Sequence, residues 1–190
     1  MGTESSGDRR DALRRLLNHT SGTPDHEIDE RETDPRFLVA PTRQDLLAWI
    51  ATNHRIAPPG RTWSYTSDGF IAAALVAEQV TGSSYGDLIR RELAEPLGLD
   101  HFGFELEPRA QAYMNHDGRP VPVPAIPYAW FSGAGSTCGT LGDLAQWWMV
   151  LRGGRVLNAA SLAALMTPVT LRAEGATAEF PYGLGIRLGR

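Results

Sequence analysis

Trp63-Ser64-Tyr65-Thr66-Ser67, followed by the apolar run Asp68-Gly-Phe-Ile-Ala-Ala-Ala-Leu-Val-Ala-Glu-Gln-Val80 and the stop Thr81-Gly82, is the stretch on which the fold turns. A hydroxyl-rich turn ahead of an alanine-rich run predicts a helix from about Asp68 to Val80. Ser67 is the simplest N-cap, and Ile71, Leu75 and Val76 fall on one face. Few polar residues interrupt the run, so this helix is expected to be central and buried. Tyr65, presented just before it, is either ordinary packing or a phenol held at a cleft.

Working outward, capping boxes mark three further helices: Thr42/Asp45, Ser84/Asp87 and Thr140/Asp143. Asn158 is a cap candidate for a last short helix carrying Leu162, Leu165 and Met166. Upstream, residues 1–7 form a polar tail and Asp8 to His19 reads as a helix with Leu13, Leu16 and Leu17 on one side. Residues 25–40 are dense in charge and read as an exposed loop. Prolines 120, 122, 124 and 127 favour an extended crossing, since proline blocks helical hydrogen bonding. Phe180, Tyr182, Leu184, Ile186 and Leu188 alternate with small or polar residues, which predicts a strand over 180–188. One strand cannot satisfy its own backbone groups, so it needs partners from outside the sequence or from around 101–115.

The 190 residues suffice for one domain with a core. At 42% apolar and 21% charged, with a net charge of -4, the chain reads as globular and gives no electrostatic case for nucleic acid. No membrane span and no signal peptide are apparent, which places the protein in the cytoplasm if Met1 is its natural start. Arg9, Arg10, Arg14 and Arg15 sit among Asp8 and Asp11 and read as a solvated helix face rather than a phosphate site. Cys138 is the single cysteine and reads as a small structural residue. His19, His26, His54, His101 and His116 show no ligand spacing, so no metal is expected, and no glycine-rich cradle suggests a nucleotide or other cofactor. His19, at a helix end, reads as structural.

Ser-x-x-Lys is not present, and the chain contains no lysine at all: its eighteen lysine-or-arginine positions are all arginine. Guanidinium stays protonated and cannot serve as a neutral base.

Several blocks nevertheless occur in a telling order: Leu16-Leu17-Asn18-His19-Thr20-Ser21-Gly22, Pro59-Gly60, Trp63-Ser64-Tyr65-Thr66-Ser67, and Glu78-Gln79-Val80-Thr81-Gly82-Ser83-Ser84-Tyr85. They continue with Glu95-Pro96-Leu97-Gly98-Leu99, Ala134-Gly135 through Thr140, Asp143-Leu144-Ala145, Leu162 to Pro168, and Tyr182-Gly183-Leu184-Gly185. Together they resemble the serine beta-lactamase-related family, in the branch of class C beta-lactamases, D-alanyl-D-alanine carboxypeptidases and related esterases.

The resemblance implies an α+β fold, represented here by a mainly helical region over 8–170 and a strand entering an incomplete sheet at 180–188. It implies acyl transfer on ester or amide substrates, beta-lactam or D-alanyl peptide-like, through a covalent ester. Tyr65 takes the position of the family's proton-transfer tyrosine, and Ser67 the asparagine position of Tyr-x-Asn. The nucleophilic serine and base lysine of Ser-x-x-Lys, and the Lys-Thr-Gly or His-x-Gly strand, are absent. The chain is thus expected to be a fragment, inactive by itself, whose incomplete sheet edge offers a pairing surface. The alternative is a non-catalytic binding or scaffold protein on the same fold, taking a small acyl or peptide ligand.

Overall fold

The computed structural model describes residues 6–25, 35–52, 54–104, 106, 110–123, 126–172 and 179–189. Helix α1 spans Ser6–Leu17, α2 Arg43–Ala51 and α3 Ser67–Thr81. Next, α4 (Tyr85–Ile89) passes through a π turn at Arg90–Ala94 into the short α5 (Glu95–Leu97). Strands β1 (Gly103–Phe104), β2 (Tyr113–His116), β3 (Arg119–Pro122) and β4 (Thr137–Cys138) precede α6 (Leu141–Arg152), α7 (Ala159–Met166), β5 (Val169–Arg172) and β6 (Glu179–Tyr182). The strands form antiparallel pairs, β1 with β4, β2 with β3 and β5 with β6, so the fold is mainly helical α+β with small open sheets.

Local chemistry accounts for the helix starts. Thr42 and Thr140 each accept the amide of the residue three on, Asp45 and Asp143, whose carboxylates take the cap amide in return. Ser84 and Asn158 accept the amides of Asp87 and Ser161. The central helix departs from expectation at its start. Thr66, extended at φ -153°, is the N-cap and accepts from the Gly69 amide, while Ser67 is the first helical residue. Ser67 is free of that duty because the Asp25 carboxylate takes its amide at 2.8 Å.

The core is aromatic. Phe37, Leu46, Ile71, Leu75 and Trp130 are its buried members, with Trp49 packed on them. The Phe37 and Trp130 rings meet edge-to-face at 4.5 Å, and the Trp130 indole donates to the Val39 carbonyl. This corrects the reading of 25–40 as an exposed loop. Residues 26–34 lie outside the described set, but Pro35–Leu38 is a 3-10 turn that buries Phe37. Helix α3 is central through Ile71, Ala74 and Leu75. Val76 is exposed, against expectation, as is Val80, because the buried stripe advances by three and four residues and leaves 76 and 80 on the outer side. A second cluster joins Ala94, Leu97 and Leu99 to Val150.

The C-terminal strand is shorter than the alternation suggested, and its partner is in the chain. Residues Glu179–Tyr182 pair with Val169–Arg172. The chain then turns back, with Gly185 at φ +77° and the Leu188 amide donating to the Pro181 carbonyl. Two hydrogen bonds dock this turn on the helices: Leu184 N–H to the Leu165 carbonyl and Gly185 N–H to the Leu17 carbonyl. The proline-rich segment is likewise a hairpin, Tyr113–His116 against Arg119–Pro122, rather than a single crossing; Pro124 lies outside the described residues.

The two faces of α3 and the turn at 37 predict a sharp contrast in stability. Phe37→Ala should cost about 3–5 kcal/mol, whereas Val80→Ala should change stability by less than about 0.5 kcal/mol. Urea denaturation of both variants checks this.

Candidate functional site

Helix α1 ends in a Schellman turn: the Thr20 amide reaches the Arg15 carbonyl at 2.9 Å and the His19 amide reaches the Leu16 carbonyl at 3.4 Å. Glycine usually occupies the left-handed position of this motif. Here it is His19, at φ +59°, a conformation histidine tolerates better than most residues. The turn drives the imidazole inward, where it is 1% exposed.

Residues 19–22 then run beside 56–66. Backbone bonds link Ser64 N–H to the His19 carbonyl, Gly60 N–H to Thr20 and Ile56 N–H to Gly22. Gly22 is required at this contact: at φ +75°, an added Cβ would lie 2.0 Å from the Ala57 carbonyl oxygen.

His19 organises the candidate site. Its Nδ1 accepts the Thr66 amide at 3.2 Å and its Nε2 lies 3.1 Å from the Tyr182 hydroxyl. An acceptor at Nδ1 places the proton on Nε2, so the neutral imidazole donates to Tyr182. Its ring centroid stands 4.7 Å from that of Tyr65, 5.2 Å from Phe70 and 5.6 Å from Trp63. Burial lowers the His19 pKa to about 4, against the opposing pull of the Asp25 carboxylate. The Tyr182 hydroxyl is pushed above its ordinary value by burial and, secondarily, by Tyr65.

Tyr65 and Ser67 flank the completely buried Thr66, whose hydroxyl donates to the Pro24 carbonyl at 3.1 Å. Tyr65 is 53% exposed, its ring lying on His19 with an outer face in solvent. Ser67 is half-buried, and its hydroxyl lies 3.4 Å from the second Asp25 oxygen. The arrangement thus presents a solvent-reachable phenol and a carboxylate-backed hydroxyl from a segment clamped on both sides. A phenol so placed can pass a proton to or from a reacting group, and the Ser67 hydroxyl can orient one.

Asp25 and Tyr182 are the site residues sequence reasoning missed. Asp25 read as turn punctuation beside Pro24, and Tyr182 as one beat of an alternating strand. His54, His101 and His116 are exposed and lie apart from this cluster; His26 is outside the described residues. Thr137 and Cys138 of the 134–139 segment pair with Phe104 and Gly103.

Because the folded state resists a proton that the unfolded chain accepts, His19 penalises folding as pH falls from about 6.5 through about 4, and not above. Stability should drop by roughly 2 kcal/mol between pH 7.5 and pH 4.5 on this account. Denaturation at the two pH values, with a His19→Asn control that flattens the difference, checks it. Long-range nitrogen–proton NMR spectra should show the neutral Nε2–H tautomer at pH 5.5.

Comparison with known proteins gives the family and the fold. The family model described as Beta-lactamase matches residues 4–190. The unguisins hydrolase of Aspergillus campestris is 30% identical over 170 residues, 82% of this chain and 31% of that protein. The D-aminopeptidase of Brucella ovis is 30% identical over 189 residues, 95% of this chain and 35% of that protein. A D-stereospecific amidohydrolase from a Streptomyces species superimposes with a TM-score of 0.77 at 28% identity, covering 91% of this chain and 55% of that one. The chain therefore spans about a third of the length of these curated relatives. With sequence and fold in agreement, the chain belongs to the beta-lactamase family, within the beta-lactamase/DD-peptidase-like serine-hydrolase superfamily.

Proposed function

We propose that this chain carries the tyrosine side of a serine-hydrolase site whose inherited chemistry is acyl transfer on small ester or amide substrates, and that residues 1–190 alone do not turn substrate over. The observation that supports it most is Tyr65, exposed and packed at a tilt against a neutral His19 beside the twice-anchored Thr66. In this reading Tyr65 exchanges a proton with the attacking or leaving oxygen or nitrogen, and Ser67 orients a polar group of the substrate.

Balance of charge and base strength supports the inactivity. No lysine exists in the sequence to deprotonate a nucleophile. The buried His19 has its Nδ1 lone pair engaged by Thr66, so it is not free to act as the base. Ser136 and Ser21 are poorly placed for attack. Ser136 is 3% exposed, and Ser21 is 8% exposed with its oxygen accepting the Thr23 amide.

One observation favours the second reading, a binding or scaffold protein without catalysis. Ser67 stands at the asparagine position with amide and hydroxyl turned to Asp25, a carboxylate for which a cationic group is the natural complement. Such a site can retain a small amine-bearing acyl or peptide ligand after its chemistry has gone. Among the described residues no helix is long and apolar enough to cross a membrane.

Residues 1–190 should hydrolyse neither nitrocefin nor a p-nitrophenyl ester above a Tyr65→Phe control, and should take no label from a fluorophosphonate or penicillin probe. Stoichiometric acylation of one serine, mapped by mass spectrometry and lost in Tyr65→Phe, would contradict the inactivity. An Asp25→Asn exchange should weaken binding of D-phenylalanine amide about tenfold while leaving N-acetyl-D-phenylalanine amide unchanged. Amide shifts at Thr66 and Ser67 report both ligands.

A further inference from the structure

Of the basic run at the start of the chain, Arg14 is exposed. Arg15 is half-buried. Its guanidinium lies against Gly60 so closely that a Cβ there would stand 1.9 Å from one of its nitrogens. Gly60 holds φ +82° and donates its amide to the Thr20 carbonyl, so the guanidinium rests on a fixed turn. Beside it opens a cavity of about 470 Å³, lined by Arg15, Arg55, Ser21 and Thr23 with Ala12 and Leu16.

Neither guanidinium forms an ion pair with a carboxylate of the described residues. Ser21 is 8% exposed, and its oxygen accepts the Thr23 amide while its own proton meets no acceptor among them. A buried hydroxyl donor and two cationic donors therefore line one small cavity to which the described residues contribute no carboxylate. An acceptor in the cavity would satisfy that donor.

We propose that this cavity binds the terminal oxyanion, carboxylate or phosphate, of a small organic molecule. The oxyanion is held by Arg15 and Arg55 and by the Ser21 hydroxyl, with the organic body against Ala12 and Leu16. Planar guanidinium donors match a two- or three-oxygen anion. The volume falls within the range of small-ligand sites and is far larger than a lone ion needs. This site is separate from Tyr65 and Ser67, which do not line it. The 21–23 segment nonetheless leads directly into Pro24 and Asp25, which hold Thr66 and Ser67, so an occupant here stiffens the mounting of the candidate site.

The test is an NMR titration of the protein with inorganic phosphate and with benzoate at constant ionic strength, with tetramethylammonium as the cationic control. Saturable shifts of the Ser21 and Thr23 amides are expected with one or both anions and not with the cation. Preference for benzoate identifies a carboxylate ligand, and preference for phosphate a phosphorylated one. Arg55→Gln, at an exposed position that leaves folding intact, and Ser21→Ala should each weaken binding about tenfold. Absence of saturable shifts with either anion, or affinity unchanged in both variants, would overturn the proposal.

Discussion

A single hydrogen bond, from the Thr66 amide to Nδ1 of His19, joins the first helix to the start of the central one, and the candidate site hangs from it. The bond requires a neutral imidazole, because a protonated ring would set N–H against N–H. It also fixes the tautomer, so that Nε2 reaches Tyr182 and ties in the C-terminal turn. Three segments distant in sequence thus meet on one ring: 16–22, 63–70 and 182. The left-handed backbone at His19 is the local cost of this arrangement, offset by the Schellman bonds of α1 and by four aromatic neighbours.

Much of the architecture was legible because its causes are local. A threonine or asparagine ahead of a periodic run meets its partner amide within three residues, so the helix starts at 43, 141 and 159 follow from short-range chemistry. The start of α3 was misread by one residue for a reason that is not local. Ser67 and Thr66 are both competent caps, and the choice between them is made by Asp25, forty-two residues away. Phe37 likewise lies beside a charge-dense stretch, and only the convergence of Trp49 and Trp130 draws it inside. The partner of the final strand was missed because Val169–Arg172 is too short to show an alternation.

The site divides in the same way. Tyr65 and Ser67 were singled out as candidates through ordered motifs resembling a known family, and His19 was read only as a structural residue. The structure makes His19 the mounting on which Tyr65 rests, while Asp25 and Tyr182 enter through contacts that span 42 and 163 residues. Arg15 shows the converse: read as part of a solvent-facing basic run, it is half-buried because a glycine turn offers its guanidinium a seat. Chemistry carried by contacts of this length leaves little periodic signature, so residue type alone could not rank these positions.

Amide hydrogen exchange at Thr66 tests the central role of His19 most directly. In the wild-type protein the Thr66 amide should exchange at the slow rate of the core helices. In His19→Phe, which keeps a ring and removes the acceptor, it should exchange at least about tenfold faster, while the Thr20 amide of the Schellman turn keeps its protection. A Thr66 amide that exchanges freely in the wild type, or is equally protected in both proteins, would contradict the claim that this bond holds the site together.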